Sequence, residues 1–202
     1  TNNYLYFGVT MVKAGDADGM VAGAINSTSD VLRPSLQILK TAPGTKLVSA
    51  FFVMVGPNPD FGSNGTFVFA DSGLNQNPNA EELAVIGGSS AKSFEYLVKD
   101  EPMVAFLSHS TKGSAKHPDV DKVVKATSLA KEQYPDYKID GEFQIDAAIV
   151  SEIGKSKAPD SEIAGKANVL VFPDLDAGNI GYKLVQRLGN ADAYGPITQG
   201  IA

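Results

Sequence analysis

The chain of 202 residues contains no cysteine, no tryptophan and only two histidines. The missing cysteine excludes a disulfide framework, a thiolate metal site and a thiol-based acyl-enzyme. His109 and His117 are too few for a closed protein metal site, so no metal is expected. Arginine is scarce as well, with Arg33 and Arg187 standing beside fifteen lysines. Acidic residues outnumber basic ones, 23 to 17, for a net charge of -6. No Lys/Arg cluster interrupts that balance, which argues against a nucleic-acid partner. The longest apolar run, Leu47 to Val55, is far too short to span a membrane, and no signal-peptide pattern appears. The expectation is a cytoplasmic protein with no membrane partner. Two glycosylation-type triplets, at Asn26 and Asn64, are expected to be chance matches.

A hydrophobic content of 43% suffices for one sizeable core or two small lobes. Apolar spacing predicts a helix over 4–14 stopped by Gly15, with a strand as the alternative. A short buried strand is expected over Asp18 to Ala24. A helix should follow Ser27–Asp30, with Pro34 in its first turn, Leu32, Leu36 and Leu39 on one face, and Pro43-Gly44 ending it. Leu47–Val55 and Thr66–Ala70, separated by Pro57–Gly65, read as a β-hairpin, expected to be the one antiparallel feature. A helix capped by Asn79 is predicted over about 80–99, weakened midway by Gly87-Gly88. Met103–Leu107 reads as a strand and Ser108–Lys116 as a polar loop. A helix from Asp119 to Tyr134 should turn Val120, Val123, Val124 and Leu129 inward. A strand over 138–145, a helix over 146–153 and a solvated link from Lys155 to Gly165 follow. The alternation argues for an α/β protein with a mostly parallel sheet.

The last 33 or so residues are the most informative. Val169–Phe172 is an apolar run bounded by Pro173, the pattern of a strand buried on both faces. A turn holding Asp174 and Asp176 leads into a helix that Asp176 or Asn179 could cap. Ile180, Leu184 and Leu188 share one side of it, Arg187 lies in its last turn, and Gly189 ends it.

FPDLDAGNIGYKLVQRL followed by GPITQG resembles the phosphate acetyltransferase (phosphotransacetylase) family and its close relative phosphate butyryltransferase. So do ADGMVAGA (Ala17–Ala24), LRPSLQIL (Leu32–Leu39), FADSG (Phe69–Gly73), EELA (Glu81–Ala84), EPMVAFLSHSTKGSA (Glu101–Ala115) and DGEFQIDAAI (Asp140–Ile149), in the family's order. The departures are small: Ser72 stands where cysteine is common, His109 where an aromatic is common, and Phe143 where leucine is common. The resemblance implies a three-layer, two-lobed fold similar to isocitrate and isopropylmalate dehydrogenases, with the active site between lobes. Residues 1–45 would belong to the first lobe. Residues 46–196 would form the second, dimerising lobe, and 197–202 would return toward the first. The family continues past the equivalent of Ala202 into a motif of the type KPVNDLSRG, whose serine and arginine, with a later aspartate, are assigned to thiol activation. The resemblance therefore implies that no catalytic residue falls within these 202 residues and that they are inactive alone.

The implied reaction moves an acetyl group between acetyl phosphate and coenzyme A. No cofactor would be permanently bound, coenzyme A being a substrate, and the expected partners are acetyl phosphate, phosphate and a second copy in a homodimer. Such substrates need local cations on an acidic protein. By resemblance Arg33 contacts coenzyme A phosphates, with a surface salt bridge as its structural alternative. Arg187 is a second candidate, its alternative being an interaction with the helix dipole or Asp192. Ser110, Thr111 and Lys112 could face ligand from the polar loop, although their glycine spacing is not that of a Walker A loop. Asn179 and Lys183 are further binding candidates, Lys183 lying one turn before Arg187. Asp174 and Asp176 are explained more simply by capping than by acid–base chemistry. The competing functions are phosphate butyryltransferase and a non-catalytic phosphotransacetylase-like dimerisation or regulatory domain. A nicotinamide dehydrogenase is disfavoured because no GxGxxG follows a strand.

Overall fold

The computed structural model describes residues 3–202. They divide into two compact units, one running to Val48 and rejoined by Gly200–Ala202, the other comprising Ser49–Gln199.

In the first unit, α1 spans Tyr4–Ala14 and α2 spans Thr28–Ile38. The Asn3 side chain accepts the Leu5 and Tyr6 N–H groups, two of the donors a helix start leaves open. Gly15 closes α1 at φ 80°. The Ser27 hydroxyl caps α2 by accepting the Asp30 N–H. The Tyr6 hydroxyl donates to Gln37 at 2.6 Å, tying the helices together. Two expectations fail here. Residues 18–24 form no strand, and Val21 is fully exposed. No strand of this unit offers the segment a ladder, and an unpaired strand has no hydrogen-bonding partner for its backbone. Pro34 lies inside α2, not in its first turn. It can do so because its ring packs inward, buried with Leu32 and Ser35, while Leu36 turns to solvent. The terminal residues pair with the segment after α2: Ala42 N–H donates to Gly200 and Ala202 N–H to Lys40.

The second unit is built on one six-stranded sheet. Its strands are β1 (Ser49–Val55), β2 (Thr66–Ala70), β3 (Met103–Leu107), β4 (Lys138–Phe143), β5 (Val169–Val171) and β6 (Asp192–Gln199), in the order β4-β3-β5-β2-β1-β6. β4, β3, β5 and β2 are parallel, whereas β2–β1 and β1–β6 are antiparallel. The hairpin is thus not the only antiparallel feature. Residues 192–199, for which the sequence named no strand, form an edge strand along β1, with a register shift between Phe51 and Val53. Their exposed, weakly apolar sequence carries no alternation of its own, so the pairing comes from the open edge of β1.

The helices are α3 (Ala80–Val98), α4 (Pro118–Gln133), the short α5 (Ile145–Ile149) and α6 (Ser151–Lys157), and α7 (Leu175–Leu188). Strand alternation sorts them into layers. Ala105, Leu107, Leu170, Phe52 and Phe69 join a core with Ala148 of α5 and with Tyr182 of α7, which stacks on Phe52 at 3.9 Å between ring centroids. Phe106 points the other way. A Cβ on Gly87 of α3 would stand 2.5 Å from its ring, and one on Gly88 would collide with the Tyr134 ring. The glycine pair therefore does not interrupt α3. It lets β3 and the end of α4 approach the helix closely, and a reciprocal capping box of Asn79 and Glu82 secures the helix start. In α4 the inward residues are Val120, Val123, Ala126, Thr127 and Ala130, and Val124 is exposed because this stripe is narrow. No helix among the described residues is long and apolar enough to cross a membrane.

Candidate active site

β2, β3 and β5 run into loops at the same edge of the sheet, and β4 passes there through Gln144 directly into α5. From β3 the chain leaves by α4 to β4 on one side, and from β5 it leaves by α7 on the opposite face toward β6. The neighbouring ends of β3 and β5 therefore form a topological switch, the place where open α/β sheets leave a crevice.

The loops around this crevice are held by buried carboxylates. Asp71, after β2, is 2% exposed and accepts the N–H groups of Gly73 and Leu74 at 2.8 and 2.9 Å, with those of Ala50 and Asn75 farther out. Glu142, near the end of β4, accepts the Ser110 hydroxyl and the Gly113 N–H, both at 2.8 Å. Asp140 takes the ammonium groups of Lys112 and Lys131, each at 2.7 Å. Burial pushes the Asp140 carboxyl up, but hydrogen bonds from Lys112, Lys131 and Ser161 outweigh it and hold the group at about 2. The loop over Ser108–Lys116 is thus fastened to β4 at two points.

This fastening accounts for three of the candidate residues. Ser110 is fully buried, and its hydroxyl also receives the Ala115 N–H at 3.0 Å. Thr111 is 5% exposed and its hydroxyl accepts the Gln144 N–H at 2.8 Å. Lys112 donates to the Gly141 carbonyl at 2.7 Å besides its ion pair. All three are engaged within the protein.

The helix after β5 differs. Asp174, rather than Asp176 or Asn179, caps α7 by accepting the Ala177 N–H at 2.8 Å. The cap precedes the first helical residue, Leu175, so Asp176 and Asn179 already lie within the helix. Gly178 is its one buried residue, lying where a Cβ would come within 2.8 Å of the Ser72 hydroxyl. Asn179 donates to the Ser72 carbonyl at 3.3 Å and accepts from Lys183 at 2.7 Å. Ile180, Leu184 and Leu188, which share one side of the helix, are exposed. Arg187 is exposed and forms no ion pair, with Asp192 or any other described residue. Arg33, in the first unit, is exposed midway along α2 rather than at a helix start, and it too forms no ion pair.

Lys122 was not marked by the sequence. It leaves the second turn of α4 and donates to Asn77, in the loop before α3, and to the Pro173 carbonyl after β5, both at 2.9 Å. No group of three or more metal-ligand side chains occurs among the described residues. His117 instead caps α4, its Nδ1 accepting the Asp119 N–H at 3.2 Å.

Comparison with known proteins bears on this site. The family described as phosphate acetyl/butaryl transferase matches residues 1–202. The chain is 67% identical over 198 residues to a phosphate acetyltransferase of Acetivibrio thermocellus and 50% identical over 196 residues to one of Bacillus subtilis. These alignments cover 98% and 97% of this chain, but 60% and 58% of those relatives' length. Among solved structures, a phosphotransacetylase of Streptococcus pyogenes superposes with a TM-score of 0.89 at 52% identity, covering 97% of this chain and 58% of that one.

Proposed function

Because the chain belongs to the phosphate acetyl/butaryl transferase family, we propose that it serves the reversible transfer of an acetyl group between acetyl phosphate and coenzyme A. The observation that carries this reading is the 67% identity to a phosphate acetyltransferase across 98% of the chain. The same identity favours acetyl over butyryl transfer and a catalytic over a purely structural role.

In the reaction the coenzyme A thiol loses its proton to a base, and the thiolate attacks the acyl carbon. The new C–S bond forms, the bond from that carbon to the phosphate oxygen breaks, and phosphate leaves with the electron pair. A free thiol with a pKa near 8.5 is mostly protonated at pH 7, so the base is needed. Direct attack needs no covalent enzyme intermediate, in keeping with a chain that has no cysteine.

Arg33 and Arg187 are proposed to bind phosphate groups of these substrates. Their guanidiniums stay charged at any working pH, suit phosphate geometry and have no carboxylate to neutralise them. Lys183 and Asn179 extend that polar row along α7. Ser110, Thr111 and Lys112 shape the neighbouring loop instead of holding ligand. The proposed setting is the cytoplasm. The proposed assembly is a homodimer, supported by the exposed Ile180, Leu184 and Leu188 beside an apolar groove of about 410 Å³ lined by Phe61, Ile145, Ile149 and Val185.

Initial rates of thioester formation by the intact protein, with acetyl phosphate and with butyryl phosphate, test the assignment. A higher kcat/KM for acetyl phosphate is expected. A butyryl preference, or no thioester from either, contradicts it.

A further inference from the structure

We propose that Lys122 holds a phosphate oxyanion beside the carboxyl ends of β2 and β5. Seven lysines have a hydrogen-bonded ammonium group among the described residues. Five of them pair with carboxylates: Lys112 and Lys131 with Asp140, Lys125 with Glu81, Lys138 with Glu101, and Lys157 with Asp146. Lys122 and Lys183 bond only neutral oxygens. Lys183 is exposed on α7, whereas Lys122 is half-buried and held from two sides by the loops after β2 and β5. Its two acceptors, Asn77 Oδ1 and the Pro173 carbonyl, belong to the loops that follow β2 and β5.

A lysine ammonium carries three donors, and these two bonds leave one free with the positive charge uncompensated. No carboxylate among the described residues is bonded to this ammonium, so its charge is left to solvent or to an incoming anion. The arrangement fits a cation fixed in advance for a compact anion, at the carboxyl edge of the parallel strands, where α/β sheets take ligands. The inference rests on the proposed acyl transfer for the identity of the anion. That anion is the phosphoryl group of acetyl phosphate or inorganic phosphate on one side, or a phosphate of coenzyme A on the other.

The test uses the intact protein with Lys122→Gln, which removes the charge but keeps a donor, and Lys122→Arg, which keeps the charge. Lys125→Gln, one turn along and neutralised by Glu81, is the control. For Lys122→Gln the KM of one phosphate-bearing substrate should rise about tenfold, the effect of losing one charge-assisted bond. Lys122→Arg should recover most of this, Lys125→Gln should change nothing, and unfolding midpoints should stay within about 2 °C. A rise confined to acetyl phosphate and phosphate, or one confined to coenzyme A, identifies the source. KM values all within twofold overturn the proposal. A fall in unfolding midpoint and kcat with unchanged KM values also overturns it, leaving a structural strut. Should the wild type transfer no acyl group, the functional assignment fails on its own. Calorimetric titration with inorganic phosphate then decides: binding that Lys122→Gln abolishes upholds the anion site, and no binding by the wild type overturns it.

Discussion

The loop after β3 and the helix after β5 lie side by side at one edge of the sheet, yet they treat their charges in opposite ways. In the Ser108–Lys116 loop, Lys112 is neutralised by Asp140, and the Ser110 and Thr111 hydroxyls are bonded inward to Glu142 and to the Gln144 backbone. On α7, Arg187 and Lys183 have no carboxylate, and an apolar stripe faces out. A Ser/Thr/Lys/Gly loop after a strand looks ligand-ready in sequence, but here those side chains hold the backbone in place. The difference teaches that a phosphate-like composition marks a binding surface only where its donors lack internal acceptors.

Breaking the anchored side at Asp140 should have the largest effect. Asp140→Asn removes the partner of two ammonium groups and should cost about 2 kcal/mol at pH 7, read as a lower denaturant midpoint with unchanged slope. The pH dependence carries the same sign. The folded pKa of about 2 lies below the ordinary aspartate value of 3.8. The stabilisation is therefore full above about pH 4 and is lost as pH falls toward 2. Acid unfolding curves of wild type and Asp140→Asn should converge below that window. Parallel curves would show that the pair contributes nothing.

A smaller effect is expected on the α7 side. The Ser72 hydroxyl, fully buried beneath Gly178, is the one buried side-chain polar atom without a partner among the described residues. Ser72→Ala removes an unsatisfied group and should be neutral or stabilising by up to about 1 kcal/mol. A clear loss of stability would mean that the hydroxyl finds a partner in solution.

Much of the second unit was legible because most of its strands are short β-branched and aromatic runs and its three longer helices begin at side-chain caps. Asn79 with Glu82 three residues on is a capping box in plain sequence. β6 was not legible, since Asp192–Gln199 is a strand only by virtue of the edge that β1 offers. The exposure of Ile180, Leu184 and Leu188 was not legible either, because helical spacing shows that three residues share a face, but not what covers it. The family, and with it Arg33 and Arg187 as candidates, could be read from motif wording. The partners of Ser110, Thr111 and Lys112 could not, because Asp140, Glu142 and Gln144 lie about 30 residues away in the chain. Lys122 left no signal at all, since one lysine in an amphipathic helix is indistinguishable from a solvated one.

The contrast between engaged and available cations is tested most directly by paired kinetics and melting of Lys112→Met and Arg187→Met in the intact protein. Lys112→Met should lower the unfolding midpoint by several degrees while substrate KM values stay within about twofold. Arg187→Met should leave the midpoint in place and raise a phosphate-bearing substrate's KM by about tenfold or more. The reverse pattern, with Lys112 governing KM and Arg187 governing stability, would contradict the account.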